Sequence, residues 1–137
     1  MIAVSSCLAG FNCRYDGSNK EDEKVVVLVK EGKAIPVCPE QLGGLTTPRE
    51  VSEIVGGKVK TKSGIDVTSE FIKGANEVLK ICEKYYCKKA ILKSVSPSCG
   101  CGEIYNGKFN GVLIKGDGIT TKLLKENGIE VISEKDL

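Results

Sequence analysis

Four short apolar runs mark the chain, at residues 2–6, 34–37, 90–93 and 129–132. Each has the length and apolar character of a buried strand. Between them the period changes. Phe71, Ala75, Val78, Leu79, Cys82 and Tyr86 recur at helical spacing, predicting a helix that opens at Asp66 or Thr68 and runs to about Tyr86. A second helix is predicted over residues 20–31, with Asn19 as its cap, Glu21, Asp22 and Glu23 in its first turn, Val25, Leu28 and Val29 on one face, and Gly32 at its end. The run from Val25 to Val29 also fits a strand. A third helix follows Asp117-Gly118 over residues 119–127 and is closed by Gly128.

The remaining segments are short and glycine-bearing. Residues 50–65, broken by Gly56-Gly57 and Gly64, read as a hairpin or an irregular excursion, and Asn106-Gly107 predicts a small hairpin over residues 104–109. Strands that alternate with helices predict an α/β fold, a small and mostly parallel sheet flanked by helices. In scale it is flavodoxin-like or half-Rossmann, with a hairpin insertion, in one domain over residues 1–137.

That organisation directs attention to the strand ends, because open α/β sheets bind ligands beyond the carboxyl ends of their strands. Three of the four predicted strands lead there to a cysteine: Cys7, Cys38 and Cys99. Sequence-distant thiols can therefore converge. Three readings stay open on these positions: a soft-metal or iron–sulfur site, a thiol-redox site, or buried structural cysteines. The spacing is neither a ferredoxin's clustered run nor the paired Cys-x-x-Cys knuckles of a zinc ribbon.

Composition narrows the chemistry. No histidine occurs in the 137 residues, which removes serine–histidine triads, cysteine–histidine nucleophiles, the two-histidine iron site and every histidine-bearing zinc site. The net charge of +2, with four tyrosines, three phenylalanines and no tryptophan, gives nucleic acid little to hold. The N-terminus has no charged region followed by a signal-length apolar run, so a cytoplasmic protein is expected. In a reducing compartment the seven cysteines are metal ligands, reactive thiols or buried apolar residues before they are disulfides. Cys82 falls on the apolar face of the long helix and Cys87 off it, both better read as buried or incidental; Cys101 is either a further thiol at the site or a spectator.

Of 20 basic residues only Arg14 and Arg49 are arginine. A chain that otherwise uses lysine and keeps arginine in two places implies forked hydrogen bonding to a carboxylate, a carbonyl or the backbone, or else plain structural ion pairs. Glu40, just beyond Cys38 and Pro39, can relay protons or simply favour a helix start. Ser96 and Ser98 flank Pro97 before Cys99, where they can meet a substrate or cap a turn. Gly43-Gly44 and Asp16-Gly17 either let backbone approach a ligand or supply turns. No Walker loop or dinucleotide fingerprint is present.

Taken together, Ser6-Cys7-Leu8-Ala9-Gly10 with Asn12-Cys13-Arg14-Tyr15-Asp16-Gly17, then Val37-Cys38-Pro39-Glu40 with Leu42-Gly43-Gly44 and Pro48-Arg49, then Lys93 with Ser96-Pro97-Ser98-Cys99-Gly100, resemble the thiouracil desulfurase family. The resemblance runs over nearly the whole chain, including Asp66-Val67-Thr68 and Gly116-Asp117-Gly118. It implies a four-iron, four-sulfur cluster held by Cys7, Cys38 and Cys99, with one iron open to the substrate's sulfur and Cys13 beside the site. It also implies hydrolytic removal of sulfur from a small thiolated base such as 2-thiouracil, giving uracil and sulfide. Glu40 would move protons and Ser96 would position the base; Arg14, Asp16, Gly43, Gly44, Arg49 and Ser98 would bind substrate or support those that do. The alternative is a non-catalytic module, a cysteine-held zinc that recruits Cys13 or Cys101, or a sulfide/persulfide carrier.

Overall fold

The computed structural model describes residues 1–137. In chain order the elements are β1 (Ile2–Ser5), α1 (Glu23–Lys30), β2 (Ala34–Val37), α2 (Pro39–Leu42), β3 (Ser52–Val55), β4 (Lys58–Thr61), α3 (Thr68–Lys84), β5 (Lys89–Leu92), β6 (Glu103–Tyr105), β7 (Leu113–Lys115), α4 (Ile119–Glu126) and β8 (Glu130–Ser133). Single turns of 3-10 helix cover Ser6–Ala9 and Glu134–Asp136.

The four apolar runs form one parallel sheet in the order β2-β1-β5-β8. Ala3, Val4, Ala90, Ile91 and Leu92 are all buried in succession, as expected of strands covered on both faces by helices. The long helix buries Phe71, Gly74, Ala75, Val78 and Cys82, a stripe at helical spacing, and packs against α2 and α4. Phe71 and Val78 are fully buried, each worth roughly 1.5–3 kcal/mol relative to exposure. No helix is long and apolar enough to cross a membrane.

Two elements depart from the sequence reading. The first helix starts at Glu23, not at residue 20: the backbone is still extended at Asp22, and residues 20–22 run beside the 3-10 turn, the N–H groups of Lys20 and Asp22 donating to the carbonyls of Cys7 and Leu8. Asp22 becomes the cap, accepting from Lys24 and Val25, a contribution of about 1 kcal/mol. Cys87, off the apolar face of α3, is nevertheless buried, in keeping with its reading as a buried cysteine. The chain reverses after α3 through Tyr86 (φ 55°), the N–H of Cys87 returns to the Cys82 carbonyl at 2.8 Å, and both thiols are buried. Finally, Asn106-Gly107 is not a tight hairpin turn. The loop from 106 to 112 is long because it docks on β3: the N–H groups of Gly107 and Phe109 both donate to the Glu53 carboxylate.

The excursion over residues 50–65 is the antiparallel pair β3/β4, turned by Gly56 (φ 57°) and Gly57 (φ 79°). It lies over the mouth of the crevice described next.

Candidate active site

The chain runs from β1 outward to β2 on one side and then returns to place β5 on the other, so the connections leaving β1 and β5 diverge. Beyond the carboxyl ends of those strands lies a cavity of about 330 Å³ bordered by Cys7, Cys13, Cys38 and Cys99, with Glu40 and Arg49 among them. Cys7 sits on the 3-10 turn directly after β1, Cys38 caps α2 at the end of β2, and Cys99 ends the serine-rich loop that leaves β5.

Close backbone packing holds these loops. A Cβ on Gly43 would collide with the Glu70 carbonyl, and one on Gly74 with the Pro39 carbonyl, so α2 and α3 meet without side chains between them and seat Cys38-Pro39-Glu40. A Cβ on Gly118 would stand 2.5 Å from the Ser98 carbonyl, so the start of α4 rests directly on the Ser98–Cys99 peptide. Thr121 then donates to the Cys99 carbonyl at 2.8 Å. Ser5 ties the two central strands together: its Oγ accepts the Lys93 N–H at 2.8 Å and donates to Cys99 Sγ at 3.5 Å.

Arg49 uses nearly its whole guanidinium. Its Nε donates to Glu40 Oε1 at 3.0 Å, one terminal nitrogen to the Cys13 carbonyl at 2.9 Å, and the other to Thr47 Oγ1 and the Thr46 carbonyl. Glu40 Oε2 accepts from Ser98 Oγ at 2.9 Å, and Ser96 Oγ is 3.0 Å from Ser98 Oγ. Because Ser96 Oγ also accepts the N–H groups of Ser98 and Cys99, its own proton is directed to Ser98 or to the cavity.

The thiols are set against ionisation. Burial pushes Cys99 up to about 12 despite hydrogen bonds from Ser5 and Ser98. For Cys13 the neighbouring Cys38 favours the thiolate, but Cys7 and burial outweigh it and carry the group to about 11. Cys38 is raised by its contact with Cys13 and then by burial. Such crowded neutral thiols become thiolates when a cation joins them. No three cysteine or carboxylate side chains converge on the position of a single metal ion; the donors are spread around a cavity instead. Four soft donors around one volume are a fitting set for a thiolate-held metal centre.

Of the residues singled out from sequence, Cys7, Cys13, Arg14, Cys38, Glu40, Arg49, Ser96, Ser98 and Cys99 border the cavity. Asp16 does not; it accepts the Ser18 N–H in an exposed turn. Gly43 serves the α2–α3 contact and Gly44 (φ 97°) the turn after it. Cys101 is also absent from the cavity, its thiol donating to the Val131 carbonyl at 3.3 Å. All seven cysteines are free thiols. Unforeseen lining residues are Glu53, Lys62, Lys93, Tyr105 and Phe109. Lys93 had a signal in its motif, whereas Glu53 on β3 and Phe109 in the 106–112 loop had no motif or periodicity to mark them.

Fold and site thus define an α/β protein whose strand-end thiols gather in a cavity at a topological switch point. The profile of the 2-thiouracil desulfurase family matches residues 2–136. The chain is 49% identical to YbbK, an uncharacterized protein of Bacillus subtilis (strain 168), over 100% of its own length and 97% of that protein. It also superposes on the solved structure of the [4Fe-4S]-dependent thiouracil desulfidase TudS with a TM-score of 0.95 and 48% identity, over 99% of this chain and 91% of that one. The chain belongs to the 2-thiouracil desulfurase family.

Proposed function

We propose that the chain is a [4Fe-4S]-dependent enzyme that hydrolyses the carbon–sulfur bond of a small thiolated pyrimidine such as 2-thiouracil, with Cys7, Cys38 and Cys99 as the cluster's ligands. Water replaces sulfur at the ring carbon, releasing hydrogen sulfide and uracil with no net electron transfer. One observation carries this reading: thiols from the ends of three strands border the same cavity as a carboxylate held by arginine and serine. When bound, the cluster supplies an iron with an open position, a Lewis acid for the soft thiocarbonyl sulfur.

The chain's own residues provide positioning and proton transfer. Glu40, held through one oxygen by Arg49, takes a proton from the attacking water. Its other oxygen is held by Ser98, and the same carboxyl group returns the proton to the departing sulfur, while Ser96, hydrogen-bonded to Ser98, positions the base. Arg49 also grips the Cys13 carbonyl, so the carboxylate and the Cys7–Cys13 loop keep one geometry.

Anaerobic reconstitution with iron and sulfide tests this directly. About four irons per chain, broad absorption toward the blue and sulfide release on adding 2-thiouracil are expected. A colourless protein that binds one zinc, or one that holds sulfide without turning over any thiolated base, would overturn it.

A further inference from the structure

Glu53 is a buried carboxylate, 5% exposed, without a cation: it forms no ion pair. Its Oε1 accepts the backbone N–H groups of Gly107 and Phe109 at 2.9 and 3.1 Å. Its Oε2 has no protein donor, yet it is not among the sealed, unpartnered atoms of the interior. Glu53 borders the cavity together with Cys38, Cys99 and Glu40, and its only other opening is a narrow crevice beside Ile54, Val95 and Ile104 with no room for a ligand. A carboxylate oxygen kept half-buried and unmatched costs stability unless a donor arrives from elsewhere.

The loop that Glu53 holds also brings aromatic surface. Tyr105 and Phe109 border the same cavity, and Phe109 adopts a left-handed backbone (φ 53°) uncommon outside glycine. Gly107 (φ 86°) has no room for a Cβ, which would stand 2.5 Å from the Ile54 carbonyl. The loop is thus seated on β3 by main-chain contact, and Glu53 is its anchor. A planar heterocycle with a polarised ring N–H matches this wall, its face toward the aromatic rings and its N–H toward the unmatched oxygen.

We infer that Glu53 is a substrate-recognition residue: Oε2 accepts a ring N–H of the thiolated base, while Oε1 fixes the 106–112 loop that sets Phe109 beside it. This deepens, and rests on, the desulfurase reading of the same cavity. It assigns Glu53 no proton-transfer role. The recognised group is the amide-like N–H adjacent to a thiocarbonyl, which a base alkylated at that nitrogen lacks.

The test compares 2-thiouracil with its 1-methyl and 3-methyl derivatives on the reconstituted wild-type enzyme and on Glu53→Gln. In the variant the amide oxygen keeps the two backbone contacts, whereas its NH2 group meets the substrate's N–H donor to donor. Wild type is expected to lose roughly 10- to 100-fold in kcat/KM on one of the two methylated bases. Glu53→Gln is expected to lose a similar factor on 2-thiouracil itself, mainly through KM, with unchanged iron content and with little remaining discrimination against that methylated base. A steric effect of the methyl group would persist in the variant, and this outcome overturns the assignment, as does a wild type that accepts both methylated bases as readily as 2-thiouracil. Should Glu53→Gln fail to fold, Glu53→Asp takes its place in the comparison, and a wild type that accepts both methylated bases as readily as 2-thiouracil still overturns the assignment by itself. Absence of sulfide release from every base by the wild type would instead overturn the desulfurase reading.

Discussion

Arg49 and Glu40 form a mostly buried ion pair, 3.0 Å from Nε to Oε1, with side chains 8% and 17% exposed. The pair is completed by the Cys13 carbonyl on one side and Ser98 on the other, so it joins three segments far apart in sequence. Arg49→Lys keeps the charge but cannot reproduce the fork. A loss of about 1–3 kcal/mol in urea denaturation is expected, together with reduced sulfide release at unchanged substrate concentration. Unaltered stability and turnover would remove the pair from any organising role.

Glu40→Gln separates structure from proton transfer. The amide oxygen still accepts from Arg49, so iron content should match the wild type, while turnover falls by about 10²- to 10⁴-fold. Iron analysis and sulfide release on the same sample check both halves.

The cysteines divide by position. Cys38→Ala should reconstitute with little iron, whereas Cys101→Ala should retain it, since Cys101 faces the Val131 carbonyl and not the cavity. Iron per chain and the visible spectrum of each variant give the answer; a Cys38→Ala protein with a full complement would overturn the ligand set.

Gly74→Ala reaches the site from a distance. The added Cβ collides with the Pro39 carbonyl, which backbone cannot relieve without moving α2. Overpacking of this kind costs about 1–3 kcal/mol, and displacement of Pro39 should also lower turnover through Glu40. Thermal melting and steady-state kinetics are the measurements.

The Cys82 thiol gives a pH signature unrelated to catalysis. Burial, with Cys87 adding to it, lifts this group from 9.0 to about 12. Because the folded value lies above the unfolded one, its contribution is complete below the unfolded value and is lost as pH rises between the two. Stability of the wild type should therefore fall more steeply than that of Cys82→Ala from about pH 9 upward. Paired urea titrations across that range measure the difference for the Cys82–Cys87 pair, in which the lysines and the distant thiols cancel.

Each strand of the parallel sheet is legible in the sequence to within a residue or so, because buried strands read as short apolar runs, although the run Val25–Val29 has the same look and is helical. The apolar stripe of α3 is legible for the same reason, burial on one face. Cys7, Cys38 and Cys99 are legible as candidates because parallel topology sends strand ends to one edge. Tertiary structure decided the rest. Residue 20 is not helical: Lys20 and Asp22 lie beside the 3-10 turn and donate to the Cys7 and Leu8 carbonyls, a contact between segments that no local pattern records. Cys87 is buried because the chain reverses at Tyr86. Gly43 is a packing contact and not a ligand-facing turn, since its neighbour is a carbonyl of α3. Glu53, on β3, and Phe109, in the 106–112 loop, meet at the cavity through two long-range hydrogen bonds between strand and loop. Composition and periodicity report how each residue meets water, and so determine strands, helices and the chemistry at hand; which side chains face one another across a cavity depends on contacts between distant segments, and only the folded chain sets those.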